Sequence, residues 1–226
     1  MTPDFIVSRA MRPDEHPVDY FWELLDQLGD DDYPAGVLRV PEKGLGTWAF
    51  SSSNGLAWWP GTPRPAFPVG GVMFVGDNLN AYGQWMKKRT HWGDPNKPTM
   101  TYWKRVWPLL KQGGVPTSTA FFTNFYVGLM EGDNPSAPFP GGKDLSFSRW
   151  CAAFLIEQIH TMQPSLVVAL GVKSQQALDR WNVARRAGVD GKSIQLSHPS
   201  ARISNAEMAS DAASLRKAFA AAAHLN

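Results

Sequence analysis

The chain has 226 residues, which fits one large domain and leaves no room for two ordinary domains plus a linker. Its 43% hydrophobic content supports a real core, no apolar run reaches membrane-spanning length, and Met1 to Ala10 lack a signal-peptide pattern, so a cytoplasmic protein is expected. The single cysteine, Cys151, excludes an internal disulfide, a Cys-ligated zinc and an iron–sulfur cluster.

Residues 17–28 have the apolar spacing of an amphipathic helix, closed by Gly29. Asp30-Asp31-Asp32 reads as a solvated loop. Residues 33–70 are rich in Pro, Gly, Ser and Trp, show no sustained period, and suggest a long irregular cover. Gly71 to Val75 is a short apolar run that predicts a buried strand ending at Gly76. Residues 101–112 predict a helix that Pro108 must bend or interrupt. Ala120 to Thr123 predicts a second strand, ending near Asn124. A helix follows over 146–162, then a third buried strand from Ser165 to Leu170, stopped by Gly171. Residues 173–182 predict another helix, Ser193 to Leu196 a fourth strand, and 205–223 a closing Ala-rich helix.

Short apolar strands alternating with helices indicate a parallel sheet covered on both faces. The expected fold is one domain over residues 1–226. It is a three-layer α/β/α sandwich with a central four-stranded parallel sheet in residues 71–226, preceded by a helix and an irregular segment in 1–70. Ligands of such sheets bind beyond the carboxyl ends of the strands. Those ends carry Gly76-Asp77-Asn78, Asn124, Gly171 and His198-Pro199-Ser200, so polar residues converge on one edge.

The net charge of +2 is unevenly spread. Residues 1–32 hold nine acids against two bases, so the remainder carries +9. From Trp85 to Lys111, seven bases (Lys87, Lys88, Arg89, Lys97, Lys104, Arg105, Lys111) stand against Asp94, interleaved with Trp85, Trp92, Tyr102 and Trp103. That mixture suits phosphate contact and base stacking, and it equally suits a basic solvated surface. Several familiar motifs are missing. Gly191-Lys192-Ser193 lacks the earlier glycine of a phosphate loop, because Arg186 stands there. There is no Gly-x-Gly-x-x-Gly after a strand, no Gly-x-Ser-x-Gly and no His-Glu-x-x-His.

Four motifs in order carry a resemblance. They are Val72-Met73-Phe74-Val75-Gly76-Asp77-Asn78, Phe121-Phe122-Thr123-Asn124, Leu166-Val167-Val168-Ala169-Leu170-Gly171 and Ser197-His198-Pro199-Ser200-Ala201-Arg202. Together they resemble the uracil-DNA glycosylase superfamily over residues 70–223. The resemblance implies a DNA glycosylase that flips a base out of DNA and hydrolyses its N-glycosidic bond. It would do so as a monomer, with no metal and no organic cofactor. The turn lacks the proline usual in the family's first motif. By alignment from Gly76, Asn78 takes the place of the water-positioning residue of several branches. Asp77 takes the place of a Glu from the iron–sulfur branch, which this chain cannot join. Both stay open, since neighbouring residues on an extended turn point in different directions.

The chemistry explains these residue types. Breaking the bond builds cationic character on the sugar and negative charge on the base. A carboxylate at Asp77 stabilises the cation, a polar group at Asp77 or Asn78 holds the water, and a neutral His198 donates to the base oxygen. Asn124 carries both donor and acceptor for a pyrimidine edge. Each has a plainer reading too: Asp77 bonding its own turn, Asn124 capping a strand, and His198 as a structural histidine. Gly76, Tyr82 and Ser200 complete the expected substrate pocket, with Tyr82, Trp85, Tyr102 and Trp103 as candidates for its stacking floor. Arg202 falls where the family probes the duplex, with Ile203 beside it, and it is equally placed for a phosphate contact. Lys87, Lys88 and Arg89 are the expected DNA grip. No lysine sits at the first-motif turn, so a Schiff-base lyase lacks an obvious nucleophile. The expected base is uracil or a modified pyrimidine, such as the glucosylated hydroxymethylcytosine removed in phage defence. Two other classes stand beside this one: a superfamily member that binds DNA or a nucleotide without cutting, and an unrelated α/β enzyme acting on a small anion.

Overall fold

The computed structural model describes residues 6, 8–40, 51–52, 66–89, 101–134 and 137–223, with the backbone alone at 51–52, 86–89 and 101. In chain order the elements are α1 (Pro17–Leu25), β1 (Val37–Leu38), β2 (Ser51–Ser52), β3 (Val72–Asn78), α2 (Tyr82–Arg89), α3 (Thr101–Gly113), β4 (Ala120–Tyr126) and β5 (Leu129–Met130). Then come α4 (Leu145–Met162), β6 (Leu166–Leu170), α5 (Val172–Arg180), α6 (Val183–Arg186), β7 (Ser193–Leu196) and α7 (Asn205–Ala223).

The main sheet has the order β2-β4-β3-β6-β7. Its last four strands are parallel, as expected from the alternation of strands and helices. The short β2 adds an antiparallel edge, pairing Ser51 with Phe122. Within residues 33–70 the described residues supply β1 and β2, and β1 pairs with β5 in a second, two-stranded sheet.

Strand alternation divides the core into two layers. Met73 and Val75 face one side, in a cluster with Phe21 of α1, with Phe154 and Leu155 of α4, and with Leu178 of α5. Val72 and Phe74 face the other side, with Val106 and Leu110 of α3 and Leu215 of α7. The result is a three-layer α/β/α fold. α1 starts with Pro17 at a position where the missing N–H costs nothing, and His16 Nδ1 accepts from the Val18 N–H at 3.2 Å. α3 continues through Pro108. That proline is exposed, while Trp103 and Trp107 stack at 4.8 Å and the buried Val106 and Leu110 hold the helix to the sheet.

Two features of β3 and β4 differ from the sequence expectation. Both strands run two residues past their expected ends at Gly76 and Asn124, to Asn78 and Tyr126. The parallel ladder continues through Gly76↔Asn124 and Asn78↔Tyr126, so pairing with the neighbour extends each strand where side-chain polarity alone suggests a turn. Two pairs deeper in the sheet than Gly76↔Asn124, Phe74 and Phe122 stack at 4.9 Å, a contact that contributes about 0.5–1.5 kcal/mol beyond burial. This stacked pair helps hold the register that sets Gly76 beside Asn124.

Candidate active site

The carboxyl ends of the parallel strands carry the candidate residues. At the end of β3, a Cβ on Gly76 would collide with Asn124 Oδ1 and lie 3.3 Å from Asn124 Cγ. Glycine at 76 is what leaves room for the Asn124 amide there. Next in β3 are Asp77 and Asn78, both half-buried. Rather than pointing apart, they are joined: Asn78 Nδ2 donates to Asp77 Oδ2 at 3.0 Å. Burial pushes the Asp77 carboxyl above its ordinary pKa, against the opposing effects of the Asn78 hydrogen bond and the Lys173 ammonium.

His198 stands two residues beyond β7, in a turn that the Ala201 N–H closes onto the His198 carbonyl at 2.8 Å. The Ser200 N–H donates to His198 Nδ1 at 3.1 Å. A neutral ring that accepts at Nδ1 carries its proton on Nε2. Burial lowers the pKa of His198, and the Lys173 charge lowers it further. The site therefore favours a neutral ring with an Nε2–H donor. Gly171, with φ at 92°, starts α5 in a conformation that L side chains rarely adopt, and an added Cβ would sit 3.0 Å from His198 Cβ. Its N–H donates to the Leu196 carbonyl at 2.8 Å. The ring of Tyr102 on α3 lies 6.0 Å from that of His198.

A family model of the uracil DNA glycosylase superfamily matches residues 68–223, well over half of the chain. The chain belongs to this superfamily. A search of the curated proteins finds no match. Membership carries a function of the DNA glycosylase type. The matched span holds all four parallel strands of the glycosylase-superfamily core and all the candidate residues above.

Within this superfamily domain the other expected site residues are dispersed. Tyr82 stacks on Trp85 at 6.4 Å and packs against the core on the α1 and α4 side. Trp85 and Trp103 are buried core residues. Of the four aromatic candidates for a stacking floor, Tyr102 is the one placed by a ring contact at His198. Ser200 and Arg202 are exposed, and Ile203 is half-buried. Lys87, Lys88 and Arg89 form the last turn of α2, and their side chains lie outside the described residues, as do His91, Trp92, Lys97 and His224. Among the described residues no group of three or more His, Cys, Asp or Glu is arranged for a metal ion, and no helix is long and apolar enough to cross a membrane.

Two residues that sequence reasoning passed over stand against these candidate residues. Lys173, in the first turn of α5, acts electrostatically on both Asp77 and His198. Its position just after the Gly171 strand end was the available signal. Arg105, counted with the basic stretch, donates from Nη1 to the carbonyls of Pro199, at 3.1 Å, and of Ala201.

Proposed function

We propose that this chain is a monofunctional DNA glycosylase acting on uracil or a modified pyrimidine and leaving an abasic site. The flipped base lies against Asn124, whose amide reads its edge. His198 Nε2–H donates to the base oxygen where negative charge collects. As the C1′–N bond lengthens, the ionised Asp77 stabilises the cationic sugar. Asp77 and Asn78 hold a water below C1′. Its oxygen bonds to C1′, the bonding pair leaves with the base, and Asp77 accepts the water proton. Arg202 fills the gap in the duplex, while Lys87, Lys88 and Arg89 meet flanking phosphates.

The observation that carries this reading is the state of His198: half-buried, with Nδ1 occupied by the Ser200 N–H and its pKa lowered. Such a ring is a neutral donor at physiological pH, suited to an anionic leaving group. The test is mass-spectrometric analysis of bases released from oligonucleotides bearing uracil, hypoxanthine, xanthine or glucosylated hydroxymethylcytosine, and from phage DNA. Release of uracil supports a repair substrate, and release of the modified cytosine a defence substrate. Salt-dependent DNA binding without release of any base contradicts the glycosylase reading and favours a binding role.

A further inference from the structure

We infer that Arg105 is a positioning residue for His198, acting through the single peptide plane between Pro199 and Ser200. The inference deepens the proposed function, because it rests on His198 as the leaving-base donor.

The geometry is a relay of three groups. Arg105 Nη1 donates to the Pro199 carbonyl at 3.1 Å. That carbonyl and the Ser200 N–H belong to one planar peptide group, and they point in opposite directions when the bond is trans. Among the described residues there are no cis peptide bonds. Holding the oxygen toward α3 therefore turns the N–H away from α3, and it is this N–H that donates to His198 Nδ1 at 3.1 Å. The same guanidinium nitrogen also donates to the Ala201 carbonyl, so the Pro199–Ser200 and Ala201–Arg202 peptides are both held. A cation on the carbonyl polarises the amide and strengthens its N–H as a donor.

The link runs across 94 positions of sequence, from the middle of α3 to the turn after β7. α3 has a second hold on the same histidine. Tyr102, one turn before Arg105, lies ring to ring with His198 at 6.0 Å. Asp211 of α7 secures the approach to the turn by accepting from the Ser197 N–H at 3.2 Å. Arg105 is half-buried and turned onto backbone carbonyls, which sets it apart from the exposed Lys104 beside it. It does not touch the reacting atoms, so its effect must appear in the state of His198.

The experiment uses the full chain with ¹⁵N-labelled histidine and reads the ring tautomer of His198 by long-range proton–nitrogen NMR. In the parent, His198 is expected as the Nε2–H tautomer alone. Arg105→Met keeps the length of the side chain and removes the donors. It is expected to produce a mixture with Nδ1–H, and to slow single-turnover base release on the order of 10- to 100-fold, with DNA affinity little changed. Arg105→Lys restores one cationic donor and is expected to recover part of both effects. A folded Arg105→Met variant that keeps the pure Nε2–H tautomer overturns the inference, whatever its activity. If that variant does not fold, the parent still decides. Slow rotation and slow hydrogen exchange of the Arg105 guanidinium are expected, and a freely rotating, fast-exchanging group overturns the inference. The tautomer needs no substrate. A tautomer shift on Arg105→Met, with a parent that releases no base, would uphold the positioning role and remove the glycosylase reading instead.

Discussion

The Ser200 N–H and His198 Nδ1 lie 3.1 Å apart as donor and acceptor, a pair that survives only while the ring is neutral. Protonating Nδ1 would set two donors face to face. The folded pKa of His198 lies below its ordinary value of 6.5. Below about pH 6.5 the unfolded ring binds a proton while the folded one resists it, so stability falls as pH drops through that window. Urea midpoints of the parent and of His198→Ala, compared from neutral to acidic pH, isolate this effect. The parent is expected to lose more stability on acidification than the variant, and equal losses would contradict the neutral assignment.

Asp77 has the opposite linkage. Its folded pKa is raised, chiefly by burial. The folded chain holds the extra proton between the ordinary and the raised values, so this group's contribution is lost as pH rises through that window. At neutral pH the buried carboxylate costs stability. Asp77→Asn keeps an acceptor for Asn78 Nδ2 and removes the charge. It is expected to melt at a higher temperature than the parent while losing about 10²–10³ in single-turnover rate. A variant that is less stable or fully active would count against this role.

Lys173→Ala removes a cation that lowers the pKa of both Asp77 and His198. Both values are expected to rise together. The acid limb of the pH–rate profile, set by ionisation of Asp77, then moves to higher pH, and the His198 titration followed by NMR moves the same way. If neither titration moves, Lys173 is only a surface cation.

Gly76 and Asn124 are coupled by contact. Gly76→Ala is expected to displace the amide and to mimic Asn124→Ala in activity. The double variant should be little worse than the weaker single one, a non-additivity typical of touching residues. Asn124→Asp exchanges an amide donor for an acceptor. It should cost most of the activity on a base that presents a carbonyl and a ring N–H, and be neutral or favourable on one that presents an amino group. Comparing uracil with cytosine-type substrates measures this, and unchanged rates and preference on both would show that Asn124 does not read the base.

Much of the fold is legible in the sequence because apolar runs report buried strands directly. Val72 to Val75 and Leu166 to Leu170 are strands where those runs lie, and the alternating Ser193 to Leu196 forms the edge strand β7. The last residues of β3 and β4 were not legible. Asp77 and Asn78 look like a turn, and only pairing with the neighbouring strand makes them extended. α2 was missed as well, since Gly83, Gln84, Lys87 and Lys88 leave it without an apolar stripe. The candidate site was legible as residue types at strand ends. Its supporting contacts were not, since Arg105 meets its partners more than 90 positions away, and nothing local in α3 marks it off from the neighbouring bases.

Single-turnover base release from DNA by the parent and by His198→Ala decides whether His198 drives departure of the base. The expected result is free base and an abasic site from at least one substrate of the uracil and modified-pyrimidine panel. His198→Ala should be slower by about 10²–10³ at unchanged fold. Base release by His198→Ala at the parent's rate would contradict the account.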